Sequence, residues 1–130
     1  MARKKIDQSG EELFCKALSL RSHGDHAGAA VVLAMLLSKD ANHEDALFLY
    51  GASLFRLDRS EEAADTFRKV LATCPKNEYA SLGLFHSLWK LGAPREAFQE
   101  MRRFMTIADS EEYERLLADI DAAFRVSDEG

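Results

Sequence analysis

The chain has 130 residues, enough for one domain or one short array of repeats with its own hydrophobic core. Its hydrophobic content of 47% and charged content of 30% are ordinary for a globular protein and argue against long disorder. The formal net charge is −5, and residues 109–130 hold 8 acidic and 2 basic side chains, which gives no support to general phosphate or nucleic-acid binding.

The cysteines and the lack of a long apolar run indicate the compartment. Cys15 and Cys74 form no CxxC pattern, which favours free thiols over a disulfide framework. No apolar run approaches the length of a membrane span, and the basic start at residues 3–5 is not followed by a signal-peptide core. These features predict a cytoplasmic protein without a membrane or nucleic-acid partner.

In chain order, apolar residues at spacings of three and four predict seven helices and no strands. The helices are expected at residues 10–22, 26–38, 43–57, 60–73, 77–91, 94–107 and 110–125. We expect residues 10–126 to form one domain, with disordered segments at residues 1–9 and 127–130.

The stretch from residue 44 to 75 reads as two amphipathic helices that face each other across a turn. Gly51 in the first helix would let a partner helix come close, and Pro75 closes the second helix. Ser60 is the predicted N-cap of the second helix, with acidic residues in the first turn after it. One such unit cannot bury its apolar stripe alone, so it should stack on copies of itself.

The last predicted helix begins near Ser110, whose side chain can cap it. One face is acidic and the other apolar, as the exposed end of a stacked array requires. The apolar face consists of Tyr113, Leu116, Leu117, Ile120 and Phe124.

The chain repeats its residue pattern with a step of 34 residues. Alanine recurs at Ala29, Ala63 and Ala97, where a large side chain would force paired helices apart. Other columns keep their character at the same step: Leu20, Leu54 and Leu88; Leu33, Phe67 and Met101; Leu36, Val70 and Phe104; and the turn residues Gly24, Asp58 and Gly92.

This period, together with the helix-turn-helix pattern, resembles the tetratricopeptide repeat family. The units are residues 10–43, 44–77 and 78–111, and the central one matches the family pattern with Gly51, Ala63, Phe67 and Pro75. The resemblance implies an all-α fold, a right-handed α-solenoid of three antiparallel helix pairs, with the helix at 110–125 as a seventh, capping helix.

The third unit departs from the family pattern at three positions, one of which is Asp109 in place of the usual proline. Ser81 stands where an apolar residue is usual, and Phe85 stands at the position of closest helix approach. Either the last helix pair splays apart, or the Phe85 ring turns toward the C-terminal helix.

No catalytic or metal-binding constellation emerges from the sequence. His23 and His26 flank a turn and would need further ligands from elsewhere to hold a metal. None of the common phosphate-binding, zinc-protease or nucleophile-elbow strings occurs. The sequence therefore predicts a protein that is not an enzyme and uses no cofactor or metal.

In proteins that resemble this family, the first helix of each pair lines a concave groove. Carried onto this chain, the resemblance implies a protein-binding groove with an apolar, aromatic middle and a basic margin. Its residues are Phe14, Leu18, Arg21, Phe48, Ala52, Phe55, Arg56, Tyr79, Leu82, His86, Trp89 and Lys90.

Two alternatives stay open for this set. Phe14 and Phe48 are also suited to packing between repeats, and Trp89 is suited to a place under the capping helix. The apolar Leu18 and Ala52 differ from the asparagines and lysines with which related adaptors grip a chaperone's C-terminal carboxylate, so such a clamp is not expected.

The sequence as a whole predicts a non-catalytic protein-protein interaction module. It would bind an apolar or helical segment of a partner protein, as a dedicated chaperone or a toxin-immunity protein does. The alternative is a homo-oligomeric scaffold, a homodimer for example, that uses the same surfaces for self-association.

Overall fold

A computed structural model of the chain describes the backbone of residues 2–129 and the side chains of residues 10–123. Over this range the fold is all-α, without strands. The helices are α1 (Ala2–Ser22), α2 (His26–Lys39), α3 (Glu44–Arg56), α4 (Ser60–Thr73), α5 (Glu78–Lys90), α6 (Pro94–Ile107) and α7 (Glu111–Glu129).

The predicted helices are all present, with two differences in extent. Helix α1 begins at Ala2 rather than at residue 10, and α7 continues to Glu129 rather than ending at residue 125. Residues 1 and 130, two of those predicted to be disordered, lie outside the described residues. The predicted disorder of the two ends and the predicted domain boundaries stay predictions. No helix within the described residues is long and apolar enough to cross a membrane.

The turns between paired helices explain the recurring turn residues. Gly24, Asp58 and Gly92 all have positive φ, at 80°, 63° and 76°. Glycine adopts this left-handed conformation without strain, and aspartate tolerates it better than most other side chains do. The 34-residue step therefore repeats a backbone geometry as well as a residue type.

Helix starts are set by local side-chain caps in most of the array. The Asp25, His43 and Asn77 side chains accept hydrogen bonds from backbone N–H groups in the first turns of α2, α3 and α5. Ser110 caps α7 as predicted, since its Oγ accepts a hydrogen bond of 3.1 Å from the Tyr113 N–H.

The predicted cap of α4 was wrong by one residue. The N-cap is Arg59, which makes no side-chain cap bond, and Ser60 is the first helical residue and is buried. The Arg59 guanidinium instead binds the Glu62 carboxylate through two hydrogen bonds, of 2.9 and 2.6 Å.

The core follows the repeat columns. Ala29, Ala63 and Ala97 are fully buried, as expected where paired helices come close together. The Phe67 ring of α4 lies against both Gly51 and Gly83, where an added Cβ would come within 2.9 and 2.6 Å of ring atoms. Phe67 therefore fills a space that these two glycines leave free on α3 and α5.

The third helix pair does not splay at Phe85. The Phe85 ring is buried and meets the Tyr113 ring of α7 edge-on, with 5.8 Å between centroids. It has turned toward the C-terminal helix, the second of the two expected outcomes. The small Ser81 leaves room beside it, and Tyr113 fills that room completely buried.

A buried polar network joins α5, α6 and α7 at this point. Ser81 Oγ donates its hydrogen to Glu100 Oε2 at 2.6 Å. The Tyr113 hydroxyl lies 2.7 Å from Ser81 Oγ and must therefore donate to it, because a serine hydroxyl has only one hydrogen to give. Arg103 binds the Glu100 carboxylate through Nε (2.8 Å) and Nη2 (2.6 Å). The guanidinium compensates the negative charge of the buried Glu100. Burial of the ring raises the pKa of Tyr113.

Candidate binding surface

The predicted groove residues lie on α1, α3 and α5, the first helices of the three pairs, and none of the twelve is buried. Six are exposed: Leu18, Arg56, Tyr79, His86, Trp89 and Lys90. Six are half-buried: Phe14, Arg21, Phe48, Ala52, Phe55 and Leu82. Their role in binding a partner stays a prediction.

Contacts between successive repeats hold part of this surface together. The Phe48 ring packs against Phe67 and against Tyr79, with centroid distances of 5.9 and 6.0 Å. Phe48 is thus a support as well as a surface residue, whereas Tyr79 remains 72% exposed. Phe14 of α1 stacks on His43 at 5.5 Å. The aromatic side chains are therefore anchored at one edge and open at the other.

The predicted basic margin has unequal members. Lys90 forms an ion pair with Asp58 and lies 4.9 Å above the Phe55 ring, so its charge is largely compensated within the chain. Arg56 is exposed at the end of α3. Arg21 is half-buried, and its Nε is buried without a hydrogen-bond partner among the described residues. Arg21 and Arg56 are therefore the cations better placed to meet an acidic partner group.

The C-terminal part of the surface is built around aromatic stacking. Trp89 stacks on Phe85 at 5.9 Å and meets Phe98 of α6 edge-on at 5.8 Å. Its other side is open, since 46% of Trp89 remains exposed. Trp89 thus lies over the third helix pair, and no ring contact joins it to α7 within the described residues.

Helix α7 forms one wall beside α5. The cleft between the two helices has a volume of about 190 Å³, and Arg115 in its wall pairs with Glu112 at 3.1 Å. The cleft is lined by Leu82, His86, Glu112, Arg115, Leu116 and Asp119. Two of the predicted groove residues, Leu82 and His86, therefore face a charged wall that the sequence analysis did not foresee.

His86 is the residue of the predicted groove whose pKa is shifted by its surroundings. Its ring meets Phe85 edge-on at 5.6 Å, and desolvation lowers the pKa of His86. The folded protein therefore binds this proton less readily than the unfolded chain does. Stability from this source is complete above the ordinary histidine pKa of about 6.5 and is lost as the pH falls below it.

We expect His86→Gln to flatten the decrease in the free energy of unfolding between about pH 7 and pH 5. Urea denaturation followed by circular dichroism at both pH values measures the slope. His23→Gln makes the same replacement at an exposed histidine on the turn after α1 and is the control for the substitution itself. Equal slopes in wild type and His86→Gln would contradict the assignment.

The described residues hold no group of three or more His, Cys, Asp or Glu side chains arranged to bind a metal ion. Cys15 and Cys74 are free thiols. Cys74 Sγ donates to Glu44 Oε2 at 3.1 Å, and this hydrogen bond raises the pKa of Cys74. A thiol held in its neutral form is a poor nucleophile, so the geometry gives it a structural role at the C-cap of α4, bonded to the start of α3.

Comparison with known proteins agrees with this architecture. Residues 45–77 match the sequence model of the tetratricopeptide repeat, which covers the central helix pair. No curated protein sequence matches the chain significantly. With the repeated helix pairs described above, the chain has the tetratricopeptide-repeat fold, an all-α solenoid of helix pairs.

Solved structures with this fold are similar at low sequence identity. The first tetratricopeptide domain of Spaghetti (RPAP3), bound to the HSP90 peptide SRMEEVD, has a TM-score of 0.78 at 17% identity and covers 91% of this chain and 94% of that one. The type III secretion translocator chaperone SycD of Yersinia enterocolitica has a TM-score of 0.75 at 17% identity, covering 95% and 96%. Another SycD structure holds a peptide of the translocator YopD.

A third similar protein is MamA. One of its structures has a TM-score of 0.78 at 20% identity and covers 89% of this chain and 66% of that one. The chain spans 56% of the length of two further MamA structures. At these identities the similarities show the fold alone.

Proposed function

We propose that this chain is a non-catalytic cytoplasmic module that binds an apolar or helical segment of a partner protein on the face formed by α1, α3 and α5. One observation carries the proposal: all twelve side chains of that face keep solvent contact, although many are aromatic or aliphatic. A large apolar surface left open on a folded chain is typical of an interaction site. That similar folds hold peptides of HSP90 and YopD supports the same use here.

The mechanism is hydrophobic and steric. Apolar side chains of the segment would be buried against Leu18, Tyr79 and Trp89, which are the exposed apolar residues of this face. Phe48 supports Tyr79 from below, at a ring-centroid distance of 6.0 Å. Acidic residues beside the segment would pair with Arg21 and Arg56, which fixes its position more than its affinity.

A dedicated chaperone or a toxin-immunity protein is the form of this function that we propose. In either role, one small array shields one apolar segment until a third component displaces it. A C-terminal acidic peptide is not the proposed ligand, because Leu18 and Ala52 offer a carboxylate no hydrogen-bond donor.

The test uses two substitutions at exposed groove residues, Leu18→Glu and Tyr79→Glu. Neither side chain is buried, so helicity and melting should stay close to wild type, while partner capture should fall roughly 100-fold because two apolar anchors are lost. Affinity purification from cells that contain the native partner, quantified by mass spectrometry, measures the recovery.

The matched control places the same two charges on the second helices of the pairs. Ala72→Glu with Thr106→Glu alters exposed positions of α4 and α6 and should leave recovery unchanged. If the groove variant folds normally and recovers the same proteins as wild type, the binding face lies elsewhere.

A further inference from the structure

The second helix of each pair turns one row of residues toward solvent, apart from the half-buried Arg103 of α6, and the three copies can be compared position by position. The 34-residue step makes each copy a control for the other two. In α4 the row is Glu61, Asp65, Arg68, Lys69 and Ala72, and in α6 it is Arg95, Gln99, Arg102, Arg103 and Thr106. In α2 the row is Ala27, Val31, Ala34, Met35 and Ser38, which we call the α2 stripe.

The α2 stripe is exposed throughout and contains no charge. Val31 is 63% exposed and Met35 is 51% exposed. Single exposed apolar side chains are ordinary on protein surfaces. Here, however, five successive outward positions lack the charges that the other two repeats carry at most of the same places. The repeat fold itself does not require this difference, since α4 and α6 fold with charged rows.

We propose that the α2 stripe is the contact through which two copies of this chain form an antiparallel, twofold-symmetric dimer. The proposal is independent of the groove, which lies on α1, α3 and α5. Both surfaces can therefore be occupied at once, and either assignment can fail without the other.

The lack of charge at helix-seam spacing is what a second copy of the stripe can match, since the rows of α4 and α6 have the same spacing but carry charges. Ala27, Val31, Ala34 and Ser38 follow steps of four, three and four, the pattern of a helix seam that packs against another helix. In an antiparallel pair centred on this row, Val31 lies opposite Ala34 of the second copy, and Ala27 lies opposite its Ser38. At the centre the larger Val31 then meets the small Ala34, and at the ends the small Ala27 and Ser38 let the two helices come close together.

The helix dipole favours the same arrangement. Antiparallel docking opposes the positive N-terminal end of α2 in one copy to the negative C-terminal end in the other. Side-chain charges at these ends add little, because Asp25 caps the N-terminus and the exposed Asp40 directly follows Lys39 at the C-terminus. Between these ends the helix carries no Asp, Glu, Lys or Arg, so two chains of net charge −5 can approach there without direct repulsion.

The available area predicts how tight the dimer is. A 14-residue helix is about 21 Å long. The surface area that one face of such a helix can bury is smaller than the roughly 800 Å² that each partner buries in a stable interface. A neighbouring cleft of about 300 Å³, bordered by Ala34 and Tyr50, adds a mixed surface, since Thr66 and Lys69 also line it. We therefore expect a dissociation constant in roughly the micromolar range rather than an obligate dimer.

Sedimentation velocity between about 1 and 300 µM spans the expected dissociation constant. Wild type should move from monomer to dimer as the concentration rises, and Val31→Glu with Met35→Glu should stay monomeric. Ala72→Glu with Gln99→Glu places the same charges on the rows of α4 and α6 and should dimerise as wild type does. Wild type that stays monomeric at every concentration, or a Val31→Glu, Met35→Glu variant that still dimerises, would overturn the proposal.

The groove variant Leu18→Glu with Tyr79→Glu separates this dimer from self-association through the groove. This variant should dimerise normally if the α2 stripe is the dimer contact. It should become monomeric if the aromatic residues of the groove are the dimer contact. The register is checked by mixing Val31→Cys and Ala34→Cys chains in a Cys15→Ser, Cys74→Ser background. A mixed disulfide should form faster than either self-linked dimer, and equal rates would overturn the antiparallel register.

Discussion

Replacing Ala63 with tryptophan should abolish the cooperative unfolding transition of this protein. Ala63 is fully buried in α4, in the column it shares with Ala29 and Ala97. Even moderate overpacking of a core costs about 1–3 kcal/mol. An indole is far larger than a methyl group, so the penalty should approach the whole stability of a small domain, roughly 5–15 kcal/mol.

The central position of α4 makes this effect spread through the array. Helix α4 packs against α3 of its own pair and against α5 of the next, so a wedge at Ala63 disturbs both interfaces. Ala72→Trp is the matched control, because it makes the same replacement at an exposed position of the same helix. Urea denaturation followed by circular dichroism should show a steep transition for Ala72→Trp and a broad or absent one for Ala63→Trp. Unchanged melting of Ala63→Trp would mean that the repeat register is wrong.

The sequence predicted the positions of the helices well because packing leaves a periodic signal. Each repeat must bury the same columns, so the step of 34 residues predicted the six paired helices, and the apolar face after Ser110 predicted the seventh. Five of the seven lie within one residue of their predicted ends. Turn geometry is equally local, as the positive φ values of Gly24, Asp58 and Gly92 show. The Ser110 cap was predicted for the same reason.

What the sequence did not predict depends on contacts between distant residues. The ion pair of Lys90 with Asp58 spans 32 positions and engages one of the three cations of the expected basic margin. The cap of α4 failed because the bidentate bond from Arg59 to Glu62 takes the place of a serine cap. The α2 stripe, in contrast, was visible in the sequence, but only when the outward columns of the repeats are aligned as well as the inward ones.

The exchange of large and small residues in the third pair is the clearest of these long-range effects. A small Ser81 stands where the first two repeats have Leu13 and Leu47, and the large Phe85 stands where the second has Gly51. Each change alone would leave a cavity or a clash. Together they shift the open space toward α7, where the ring of Tyr113 fills it.

Tyr113→Ala should therefore lower the free energy of unfolding by roughly 3–5 kcal/mol, the usual range for deleting a buried aromatic ring. The ring is fully buried between Phe85 and Phe104, at centroid distances of 5.8 Å from each. Among the described side chains of α7, Tyr113 is the one that is completely buried in the core. Its loss should release α7, which amide hydrogen exchange would report as fast exchange in α7 and little change in α3.

Tyr113→Phe separates the ring from its hydroxyl. It keeps the packing and removes the hydrogen bond to Ser81, which can still donate to Glu100, so the cost should be about 1 kcal/mol. Burial raises the pKa of Tyr113, so the folded protein keeps the phenolic proton where the unfolded chain begins to lose it, near pH 10. Wild-type stability should fall as the pH rises above that value, and Tyr113→Phe should lack this part of the loss. An alanine variant no less stable than the phenylalanine variant would show that α7 is held by other contacts.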